Sequence, residues 1–125
     1  MKKLALALVL ALTLSGCASV ATTEASEYPA TFRSVEELKE AFVSAGGACP
    51  DWHQSDLVKL AAQSGTCSEV NVLSIFSSKS SQDEMISSLK TLLDNVSLLV
   101  GENWVINDPS VGELDPGLGG VLVTS

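Results

Sequence analysis

The side chains best suited to chemistry in this 125-residue chain are three cysteines, a single histidine and fifteen carboxylates. His53 stands four residues after Cys49, with Asp51 between them and Cys67 further on. That set could be asked to hold zinc, but the spacing is not that of a finger and there is no second imidazole. His53 therefore reads as a solvated loop residue, and neither a metal nor another cofactor is expected. Serines are plentiful, yet none sits in the Gly-x-Ser-x-Gly turn that presents a nucleophile above a sheet. Nothing in the spacing of the carboxylates selects two of them for glycoside hydrolysis. A hydrolase is thus the least favoured class, and the chain is expected not to be an enzyme. The charge balance excludes more. With 7 Lys+Arg against 15 Asp+Glu the net charge is −8, and a nucleic-acid partner would need a basic stripe instead. Polybasic attraction to anionic lipid is excluded on the same ground.

The first cysteine has a setting of its own. Met1-Lys2-Lys3 is a short basic start, followed over residues 4–14 by an apolar run broken only by Thr13. As a helix this run would rise about 16 Å, roughly half of a hydrocarbon core, so it does not span a bilayer. It fits the apolar region of an export signal. The run closes on Leu14-Ser15-Gly16-Cys17, which resembles the bacterial lipobox. The resemblance implies cleavage between Gly16 and Cys17, diacylglycerol on the Cys17 thiol and acylation of its amine. Cleavage would leave five basic and fifteen acidic residues, a net charge of −10. Each buried CH₂ contributes about 0.8 kcal/mol, so two or three chains would hold the protein without a membrane helix. The expected location is the extracytoplasmic face of the cell membrane.

With Cys17 lipidated, Cys49 and Cys67 remain as an even pair in an exported protein, for which a disulfide is the default. The loop-entropy model gives such a bridge roughly 3 kcal/mol. A redox pair is the rival, but the spacing is not Cys-x-x-Cys. Trp104 opens an apolar run and belongs in the core. Trp52, within Pro50-Asp51-Trp52-His53-Gln54, either covers the bridge or anchors a partner, as interface tryptophans often do. Packing is the favoured role. Whether such a partner is a protein or a small ligand stays open.

These residues need elements to place them. Residues 18–31 are small and polar with one proline, and residues 17–31 read as a lipidated flexible tether spanning roughly 20 Å. Residues 32–125 form a single domain. Ser34-Val35-Glu36-Glu37 is a capping box, and Val35, Leu38, Phe42 and Ala45 recur at helical spacing up to Gly46-Gly47, which predicts a helix over 34–45. Two short runs, 57–62 and 70–76, predict an antiparallel pair around residues 63–66. In the second run Val70, Val72 and Phe76 share a face, while Leu73 and Ile75 point to burial of both. Ser81-Gln82-Asp83-Glu84 repeats the capping box, and Met85, Ile86, Leu89, Leu92 and Leu93 predict a helix over 81–93 with Gln82 on its wet side. Runs at 98–100 and 104–106 flank a turn at Gly101-Glu102-Asn103. The order αββαββ plus a short C-terminal segment, with a hint of a duplicated unit, predicts an α+β two-layer sandwich. Its antiparallel sheet would have about four strands, with two main helices on one face.

In order along the chain, several short motifs resemble those of small lipoproteins from actinobacteria and some of their phages. They are Leu14-Ser15-Gly16-Cys17, Ala45-Gly46-Gly47 with Cys49, Gly65-Thr66-Cys67-Ser68, Val72-Leu73-Ser74-Ile75-Phe76, Leu99-Val100-Gly101 with Asn103-Trp104, and Leu118-Gly119-Gly120. The resemblance implies an extracytoplasmic lipoprotein with a cystine-tied α+β domain, and it brings no catalytic residue. The expected function is a non-enzymatic binding or structural module on a lipid anchor. The alternative is a phage- or prophage-borne lipoprotein that excludes a second phage.

Overall fold

A computed structural model describes residues 28–125. The first helix, α1 (Val35–Ser44), starts at the predicted N-cap, Ser34, but Glu37 reaches back to the amide before the cap and not to the cap's own. Ser34 Oγ accepts from the Glu37 amide at 3.2 Å, while Glu37 Oε2 accepts from the Arg33 amide at 3.0 Å. The helix stops where Gly46 takes φ +104°, a conformation that costs glycine little. Val35, Leu38, Ala41 and Phe42 are its buried stripe.

Six strands follow: β1 (His53–Gln54), β2 (Gln63–Thr66), β3 (Val72–Ile75), β4 (Ser97–Val100), β5 (Trp104–Asn107) and β6 (Val121–Thr124). They form one antiparallel sheet in the order β1-β2-β3-β5-β4-β6. The fold class is α+β, as expected, but the sheet is wider than the four strands predicted. The C-terminal segment supplies one extra strand, because Val121–Thr124 pairs with β4. The two-residue β1 at the other edge supplies another.

The strand predicted over 57–62 is not one. That stretch is a loop whose Val58, Leu60 and Ala61 pack against the sheet, and the strand is the polar Gln63–Thr66 that was read as its turn. Tertiary contacts override the poor strand propensity here. Gln63 Oε1 accepts from the Val35 amide at 2.9 Å, and the Ser64 hydroxyl accepts from the Val58 amide at 3.1 Å. Gly65 lies under Trp52, where an added Cβ would stand 2.3 Å from the indole.

The second helix, α2 (Lys79–Leu92), begins earlier than predicted. Ser78, not Ser81, is the N-cap and accepts from the Ser81 amide at 3.2 Å. Its buried residues are Gln82 and Met85, with Ile86 and Leu89 half-buried. Gln82, expected in water, is fully buried, whereas Leu92 and Leu93, expected in the core, are 78% and 43% exposed. The reason is hydrogen bonding. Gln82 Nε2 donates to the carbonyls of Gly101 (2.9 Å) and Trp104 (3.1 Å), which fastens the start of α2 to the β4–β5 turn.

The two helices lie on opposite faces, not on one. Register puts Leu73, Ile75, Leu99, Trp104 and Ile106 on the side where they pack with α1. Leu98 and Val105 point the other way and pack with Met85, Ile86 and Leu89 of α2. The architecture is therefore α1, sheet, α2, in three layers. Burial on both sides of β3 requires a cover on each. A duplicated unit is also ruled out, since a two-fold relating the antiparallel neighbours β3 and β5 would leave both helices on one face. Folded structure begins before residue 32. Trp104 Nε1 donates to the Ala30 carbonyl at 3.1 Å, and Tyr28 packs on the α1-side core, so residues 28–31 belong to the domain and not to the tether.

Candidate functional site

Gly16 and Cys17, the predicted cleavage and lipidation residues, lie outside the described residues. The other cysteines meet as expected: Cys49 and Cys67 form a disulfide with Cα atoms 4.4 Å apart. Cys67 is fully buried among the α1-side residues, and the Asp51 amide donates to its carbonyl at 3.2 Å. The bridge thus pins the loop after α1 to the end of β2. Trp52 follows directly. Its half-buried ring packs on the same core, covers Gly65 and has Lys39 Nζ 6.0 Å from its centroid. That is the packing role favoured from the sequence. His53 is exposed on β1 with Asp51 Oδ1 at 3.1 Å from Nε2, and no group of three metal-ligating side chains occurs among the described residues.

Trp104 is in the core, 1% exposed, with Phe32 edge-on at 5.9 Å between ring centroids. Asn103 beside it holds the entering chain in both directions. Its Nδ2 donates to the Phe32 carbonyl at 2.8 Å, and its Oδ1 accepts from the Phe32 amide at 3.0 Å. An apolar groove of about 540 Å³ opens here, lined by Tyr28, Val100, Trp104, Leu118 and Gly120 among others. In the turn after β5, Asp108 is buried and accepts from the Ser110 amide at 2.6 Å and from Asn71 Nδ2. Asn71 also meets the Ser68 hydroxyl. These bonds close the turns after β2 and β5 upon each other.

A smaller concavity lies under α2. Val72 and Ser74 of β3 and Val105 and Asn107 of β5 make its floor, with Val58 from the 55–62 loop and Met85 and Leu89 from α2 above. Its volume is about 150 Å³. Sequence reasoning passed over these residues as a site. The available signal was Ser74, a polar residue between Leu73 and Ile75 in a strand buried on both faces.

No family model, no curated protein and no solved structure matches the chain.

Proposed function

We propose that this protein is a lipoprotein, anchored by diacylglycerol on Cys17 at the extracytoplasmic face of the cell membrane, whose small α+β domain binds or spaces a partner without catalysis. The observation that carries this is the run from Lys2-Lys3 through residues 4–14 into Leu14-Ser15-Gly16-Cys17, in which charge, length and cleavage motif agree. The Cys49–Cys67 disulfide supports it, because such bonds persist in oxidising compartments. Tyr28, which packs on the domain, stands only eleven residues after Cys17. A random chain of that length would span roughly 20 Å, which would keep the domain close to the headgroups.

Cys17→Ala tests the anchor. In the host, the variant should accumulate as uncleaved precursor and lose detergent-phase partitioning. A variant that still matures at the same site and stays with membranes would overturn the proposal.

A further inference from the structure

We propose that the space between α2 and the sheet binds a small, uncharged, largely apolar molecule carrying one hydroxyl group. This does not depend on the fate of Cys17. The size comes first. A cavity near 150 Å³ walled by aliphatic side chains is large enough for a six-membered ring. The lining holds no charged side chain: Val58, Val72, Met85, Leu89 and Val105 are apolar, and only Ser74 and Asn107 are polar. A carboxylate or ammonium would lose its hydration there without a counter-charge.

Ser74 makes the space more than loose packing. It is 2% exposed, and its hydroxyl is the polar group that β3 presents to the cavity. The hydroxyl opens onto the cavity, where a molecule occupying the space can reach it. A ligand hydroxyl would pair with it, because serine can both donate and accept. The Asn107 amide stands on the same floor and offers a second polar contact. The roof can adapt as well. α2 holds it through Met85, an unbranched side chain that fits irregular shapes, and through the half-buried Leu89.

Phenol and benzene are the probes, titrated into the ¹⁵N-labelled full chain in detergent and followed by amide shifts. Phenol should give saturable shifts confined to residues 72–74, 85–89 and 105–107. It should bind about 3- to 10-fold more tightly than benzene, the range one neutral hydrogen bond supplies. Ser74→Ala should still bind benzene and should lose that preference. The proposal fails if neither probe saturates, or if the shifts gather instead at the groove beside Trp104. Equal affinities on the wild-type chain would also overturn it, and that ratio decides the matter should Ser74→Ala not fold.

Discussion

The two faces of the sheet are built from similar strands and closed in different ways. On the α1 face, Phe32, Val35, Leu38, Phe42, Leu73, Trp104 and Ile106 are all under 5% exposed, and the Cys49–Cys67 bridge fastens the loop that borders them. Aromatic rings fill the gaps there, and glycines at 47, 65 and 101 let Phe42, Trp52 and Trp104 lie flat on the backbone. On the α2 face the cover is one helix, attached at its first turns by Gln82 and Met85, plus an irregular loop. The same strand pair, β3–β5, therefore has a dense side and a side with room. The aromatic packing and the disulfide belong to one face, and the cavity under a helix to the other.

Substitutions on the two faces should separate these properties. The largest effect is expected at Trp104→Ala, which removes the ring that touches Phe32, Gly101 and Gly120 and the hydrogen bond to Ala30. Denaturant unfolding should show a loss of about 3–5 kcal/mol. Replacing Cys49 and Cys67 together by alanine should cost about 3 kcal/mol, as expected for a loop with a sequence separation of 18. Hydrogen exchange in that variant should rise most at β1, β2 and the end of α1. Equal acceleration across α2 would erase the contrast between the faces.

On the looser face the effects shrink. Leu89 is half-buried and already borders a cavity, so Leu89→Ala should lose only about 1–2 kcal/mol, less than the full burial of a leucine side chain. Leu92→Ala, three residues on and 78% exposed, should stay within about 0.5 kcal/mol. If Leu89→Ala proved as damaging as a change at Leu38, the α2 face would be as tightly packed as the other.

Much of this could be read from residue order, and the parts that could not share a physical cause. α1 was legible because its start, stripe and stop are local: Ser34 with Glu37, Leu38 with Phe42, and Gly46. The β4–β5 hairpin was legible for the same reason. At α2 two serines at capping distance competed, and the hydrogen bonds from Gln82 to a turn nineteen residues away decided the outcome. β2 was illegible because Gln63, Ser64 and Gly65 each answer to a distant partner: Val35, Val58 and Trp52. The side on which each helix lies is not encoded in its own periodicity. It was hinted at only by Leu73 and Ile75 alternating with Val72 in a strand apolar on both sides. The disulfide was foreseen by counting cysteines. That Ser74 lies on the cavity floor needed the sheet register to become visible.

The strand order has a kinetic consequence. β2 with β3 and β4 with β5 are hairpins closed by short loops, while β3 and β5 meet only after the chain has passed through α2 and β4. Local pairings form before distant ones, since closing a longer loop costs more entropy. The domain should thus assemble as two preformed ribbons that zip along the β3–β5 ladder late in folding, with Gln82 tying α2 to the second ribbon's turn. Val72, Ser74, Val105 and Asn107 straddle that seam. The floor of the cavity is then among the last surfaces to exist, and a molecule bound there would act as a clasp on the final step, slowing the ribbons' separation more than it speeds their meeting.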